Sequence, residues 1–93
     1  MSATPAQPEA TALFSTFVMG LASASMIEMG LVEDPTSKQK RQDLSVAQHY
    51  IDILGMLQKK TQGNLSDDEK KLLDRILSDL RLQFVRLSQA KKK

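Results

Sequence analysis

Lys60-Thr61-Gln62-Gly63-Asn64-Leu65-Ser66-Asp67-Asp68-Glu69 is the stretch on which the fold turns. Ser66 and Glu69 stand three residues apart. At that spacing a serine hydroxyl accepts from the glutamate amide while the glutamate carboxylate reaches back to the serine amide. A helix therefore starts at Ser66, and Asp67, Asp68 and Glu69 in its first turn suit the positive end of the helix dipole. On the other side, Lys59 and Lys60 suit the negative end of a finishing helix, and Gly63 fits the left-handed position just past its end. Only Gly63-Asn64-Leu65 separates the two helices, and so short a connection lays them side by side and antiparallel.

Outward from this turn, apolar residues recur at three- and four-residue steps. Downstream they are Leu73, Ile76, Leu80, Phe84 and Leu87, widened by Leu72 and Leu77. Upstream they are Leu44, Ala47, Ile51, Leu54 and Leu57 with Tyr50 beside them, and Asp43 is placed to cap that helix. The pattern predicts a hairpin of two helices, about 43–62 and 66–90, with facing apolar stripes. An Asp67 and Lys71 pair, four residues apart, is expected on its exposed side. No segment alternates with a strand period, and no internal repeat competes with an all-α reading.

Residues 31 to 42 have no apolar period and contain Glu33-Asp34-Pro35, so they read as a connection. Before it, the chain is free of proline from Glu9 to Met29, and Gly30-Leu31 fits a left-handed cap whose Leu31 folds back toward Met26. The fold class is thus three helices, the hairpin packed with an apolar N-terminal helix at about 9–29. Residues 1–8, with Pro5 and Pro8, read as a tail, 9–90 as a single helical domain, and 91–93 as a basic C-terminal tail.

The first helix differs from the other two. Leu13, Phe14, Phe17, Val18, Met19, Leu21, Met26, Ile27 and Met29 surround most of its circumference, so it needs cover on several sides. Ala12, Thr16, Gly20 and Ala24 form a row of small residues at four-residue steps, where another backbone can come close. Two readings fit: the row makes room for the hairpin inside one monomer, or it lies at a contact between copies. The second predicts a homo-oligomer, most simply a dimer, with Ala12, Phe14, Thr16, Phe17, Gly20, Leu21 and Ala24 in the interface and Glu28 at its end, paired or hydrated.

Residues 10 to 27 are uncharged, which raises a membrane span and, with Ala22-Ser23-Ala24, a cleaved leader. Against both stands the absence of any Lys or Arg before Lys38, and against a span also Thr11, Ser15, Thr16, Ser23 and Ser25. A membrane is therefore not the expected partner.

Chemistry-bearing residues are sparse. With no cysteine, disulfides, zinc thiolates and thiol nucleophiles are excluded, and the expected setting is a reducing cytoplasm. His49 is the only histidine; Asp52 is three residues on, but no nucleophile stands beside them. A metal held by His49, Asp52 and Glu28 would need two helices to converge, and Met26 with Met29 reads as packing rather than a soft-metal pair. Lys59 to Asn64 lacks the strand and the glycine-lysine pattern of a phosphate loop. No cofactor, no metal and no enzymatic activity are expected.

The net charge of +2 is small, and residues 1 to 30 carry only Glu9 and Glu28. Lys38, Lys40, Arg41, Lys59 and Lys60 are candidates for one basic patch facing RNA, a ribosome or an acidic protein, although no aromatic interleaving supports base stacking.

Three blocks carry a family resemblance: Phe14-x-x-Phe17-Val18 with Leu21-Ala22 running to Met29-Gly30-Leu31; Asp43-Leu44-x-x-Ala47 with Ile51-Asp52; and Lys60-Thr61-x-Gly63-Asn64-Leu65-Ser66 followed by Glu69. Over about residues 14 to 85 the chain resembles the small bacterial proteins known as domain of unknown function 1844. The resemblance implies a short, soluble, helical bacterial protein and brings no activity, cofactor or catalytic residue. The leading expectation is a non-catalytic helical interaction module that self-associates or holds a protein partner. RNA or ribosome association through the basic connection and tail is the alternative, and peripheral membrane attachment through the first helix is a third.

Overall fold

In a computed structural model, residues 7–91 are described, and they form three helices: α1 (Gln7–Met29), α2 (Leu44–Lys60) and α3 (Asp67–Lys91). Residues 1–6 of the expected tail and residues 92 and 93 of the basic end lie outside the described residues. Each pair of helices packs together, and no strand occurs among the described residues.

The helix ends follow from local chemistry. Ser66 and Glu69 form the reciprocal cap, with the Ser66 amide donating to Glu69 Oε1 at 2.8 Å and the Glu69 amide to Ser66 Oγ at 3.2 Å. Asp43 Oδ1 accepts from the Val46 amide at 3.2 Å and from the Ser45 hydroxyl at 2.8 Å. At the end of α1, the Gly30 amide donates to the Ile27 carbonyl and the Leu31 amide to the Met26 carbonyl, both at 3.0 Å. With Gly30 at φ +80°, this is the left-handed cap that Gly30-Leu31 predicts.

Boundaries shift by one or two residues. α1 begins two residues early because Pro8 falls in its first turn, where amides have no intrahelical acceptor to lose. α2 stops at Lys60, two residues before the expected end: the Thr61 amide still makes the helical bond to the Leu57 carbonyl at 2.9 Å, whereas the Gln62 amide turns instead to the Lys59 carbonyl at 3.4 Å. Gly63 consequently sits beyond that cap, at φ +83° in the turn that the Asn64 amide closes on the Thr61 carbonyl. α3 takes in Lys91, so the basic end starts inside a helix. On α3 the ion pair is Lys70 to Asp74 at 3.2 Å, and the expected Asp67 and Lys71 pair does not form.

The core lies where the three helices meet. It contains Ala47, Ile51 and Leu54 of α2 and Leu73, Leu77 and Leu80 of α3, the stripes that periodicity marked. From α1 come Val18, Ala22 and Met29, together with the buried Ser25, whose hydroxyl donates to the Ala47 carbonyl at 3.2 Å. That bond satisfies a buried hydroxyl and sets which side of α1 faces inward.

Candidate functional site

Because Val18, Ala22, Ser25 and Met29 form the inward stripe of α1, the residues on the far side have no cover. Leu13 is 73% exposed, Phe17 54% and Met19 49%. Ala12, Thr16, Gly20 and Ser23 are exposed among them. A Cβ at Gly20 would meet nothing within 4 Å, which overturns the reading in which Gly20 makes room for the hairpin. The seven residues expected at an interface therefore divide. Ala12, Thr16, Phe17 and Gly20 face outward and Ala24 is half-buried, whereas Phe14 and Leu21 lean against the core, flanking Val18 on the helix surface. Leu13 and Met19 belong to the outward face although the small-residue row did not include them.

By length and composition, Ala12–Met29 is apolar enough to cross a membrane, with only 22% of that window buried. The outward face is thus an apolar strip flanked by shallow positions, with no charged residue between Ala12 and Ile27.

The five candidate basic residues do not form one patch. Lys38, Lys40 and Arg41 precede α2, whereas Lys59 and Lys60 end it, so the length of α2, about 25 Å, separates the two groups. Arg41 is also occupied: its guanidinium pairs side-on with Glu28, Nη2 to Oε2 at 2.6 Å and Nε to Oε1 at 3.3 Å, and its Nη1 meets Asp34 Oδ2. The two carboxylates, Glu28 first, raise the Arg41 pKa further above its already high value. Asp34 is held below the ordinary carboxylate range, first by the Thr36 amide that donates to it at 2.8 Å and then by Arg41. Glu28 is therefore paired within its own chain.

Around this clamp the connection docks on the end of α1. The Asp43 amide donates to the Glu28 carbonyl at 2.7 Å, and Gln42 Nε2 to the Met29 carbonyl at 3.0 Å, satisfying acceptors that a helix end leaves open. Gly30 is pressed into the same junction, since a Cβ there would lie 2.9 Å from the Arg41 carbonyl.

The other chemistry candidates resolve into packing. His49 is exposed and tilts against the Tyr50 ring at 6.4 Å, while Asp52 accepts from Gln48 at 2.7 Å instead of facing the histidine. Met29 is fully buried and Met26 packs against the core. Among the described residues, no three His, Asp or Glu side chains gather as a metal site would require. A hollow of about 180 Å³ beside the hairpin turn is lined by Thr61, Gly63, Lys70 and Asp74. Its polar groups bond to one another, with Gln58 donating to Asp74 at 2.6 Å and Lys70 pairing with the same carboxylate, which both hold below its ordinary range.

A larger open hollow of about 420 Å³ lies between α2 and α3, lined by Asp52, Gly55, Met56, Gln58, Lys59, Lys60 and Arg81. Sequence reading singled out neither Gly55 nor Arg81. The signal was present in the short turn, which fixes the hairpin register, together with the lean of helical side chains toward their N-terminus, which carries an arginine back about one turn.

A family model described as Domain of unknown function (DUF1844) matches residues 11–86, and the chain belongs to that family. No curated protein and no solved structure matches it.

Proposed function

We propose that this family member is a non-catalytic helical interaction module that self-associates through the outward face of α1. One observation carries the reading: Leu13, Phe17 and Met19 stand about half exposed or more on a face without charge, around a Gly20 that nothing covers. At roughly 25 cal/mol per Å² of apolar surface, covering this strip favours association. The small positions Thr16 and Gly20 beside the large Leu13 and Phe17 give the face its own complement, so a two-fold axis near Gly20 seats each knob in the partner's shallow row.

A membrane is the second reading, favoured by the low burial of Ala12–Met29. Charge speaks for a second copy instead. Residues 1 to 30 carry only Glu9 and Glu28, whereas a helix lying on anionic lipid uses Lys and Arg. RNA association is supported less, because the candidate basic residues separate to opposite ends of α2 and Arg41 is held by two carboxylates.

Sedimentation equilibrium at micromolar concentration tests the reading, with twice the 10.4 kDa chain mass expected. Gly20→Leu gives the test a sign. If α1 faces only water, replacing a helical glycine stabilises the protein by about 0.5–1 kcal/mol. If Gly20 lies at a close contact, the same change weakens the assembly and lowers the melting temperature in a concentration-dependent way. A monomer mass with a stabilised Gly20→Leu variant sinks self-association, and co-sedimentation of the wild-type monomer with vesicles transfers the face to a membrane.

A further inference from the structure

The 420 Å³ hollow between α2 and α3 contains no residue of α1, so whatever it does is separate from self-association. Its charge is unequal. Arg81, Lys59 and Lys60 bring three cations to it against the single carboxylate of Asp52, which already accepts from Gln48. None of the three cations makes an ion pair or hydrogen bond among the described residues, in contrast to Arg41 and Lys70. Arg81 reaches its place because Gly55 leaves room: a Cβ there would lie 3.2 Å from Arg81 Nη2. The guanidinium thus rests over bare helix backbone, with Lys59 and Lys60 lining the same hollow and Met56 as an apolar wall.

We propose that this hollow binds a small multivalent anion of the phosphorylated class. A planar guanidinium offers paired donors to two phosphate oxygens, and the mobile ammonium groups supply charge for the remainder. The volume falls in the range of small-ligand sites. The positive charge is also local: Lys38 and Lys40 lie at the opposite end of α2 and do not extend it into the track that a nucleic-acid backbone follows.

Inorganic pyrophosphate is the probe, titrated into the full-length chain at physiological salt and followed by isothermal calorimetry and backbone amide shifts. Saturable binding is expected, with shifts centred on residues 52 to 60 and on Arg81. Arg81→Gln should weaken it by about tenfold or more with helicity unchanged. Lys40→Gln, which removes the same charge at the far end of α2, should change it by no more than about twofold. Equal losses in both variants, shifts elsewhere, or no saturation at millimolar pyrophosphate overturn the proposal. So does a single-stranded RNA that binds this hollow more tightly than pyrophosphate. Because the amide map reports the hollow and sedimentation reports α1, either result stands if the other fails.

Discussion

The apolar stripes of α2 and α3 turn inward and leave backs that are polar except at Met56, Leu82 and Val85, whereas α1 carries large apolar side chains on both its buried and its exposed sides with no charge between Ala12 and Ile27. The hairpin is therefore specified by pattern: each stripe has one place to go. α1 is specified by contact. Its inward side is fixed by the Ser25 bond to Ala47 and by the docking of Gln42 and Asp43 on its last carbonyls. Chain segments with one apolar face tell where they pack, and segments apolar all round tell only that they need cover.

The sharpest break of this comparison comes from truncating one large residue on each side of it. Leu54→Ala, at a fully buried position of α2, should cost about 2–5 kcal/mol in urea denaturation. Phe17→Ala, on the outward face of α1, should stay within about 0.5 kcal/mol where the protein is dilute enough to be monomeric, and show its loss only as concentration rises. A comparable loss from both under dilute conditions would erase the distinction.

Next in size is the contrast between the two left-handed glycines. Gly30→Ala should cost about 1–3 kcal/mol, because φ +80° disfavours a side chain and its Cβ would press on the Arg41 carbonyl. Gly63→Ala, at φ +83° with open space around it, should cost about 1 kcal/mol from the backbone alone. Equal melting temperatures for the two variants would mean that the junction around Arg41 yields freely.

Within the hairpin, Ser66→Ala removes the hydroxyl that the Glu69 amide uses and should cost about 0.5–2 kcal/mol. Unchanged denaturation midpoints would show that the reciprocal cap contributes nothing to α3.

The smallest effect is that of acid. Asp34 at the α1 junction and Asp74 in the hairpin both hold protons more weakly when folded than when unfolded. Their stabilisation is present above the unfolded Asp value of about 3.9 and is lost as pH falls through the lowered folded values. Melting temperature should therefore drop below about pH 4, and Asp34→Asn should flatten that drop at the junction without touching the hairpin. A pH profile left unaltered by this substitution would show that the Arg41 clamp is not what acid releases.

Much of this was legible in the chain. The Ser66 and Glu69 box, the Asp43 cap, the Gly30-Leu31 ending and the two stripes of the hairpin each depend on residues within about a turn or two of one another. A hydrogen bond three residues long, or an apolar step of three or four, is written directly into sequence order. The Lys70 to Asp74 pair, chosen over Asp67 to Lys71, shows the limit even there, because Asp74 also accepts from Gln58 across the hairpin.

What only tertiary structure decided are the pairings that cross between helices. Composition marked α1 as unusual, but a helix apolar around its circumference has no preferred side until Ser25 finds the Ala47 carbonyl and leaves Gly20 outward. The basic residues before and after α2 read as one group along the chain, and the length of a 17-residue helix holds them apart. Arg41 closes on Glu28 thirteen positions earlier, and Arg81 settles over Gly55 on the neighbouring helix, because packing brings those side chains within reach. Local bonds need only the order of the residues; the distribution of exposed apolar surface and unpaired charge needs the three axes placed in space.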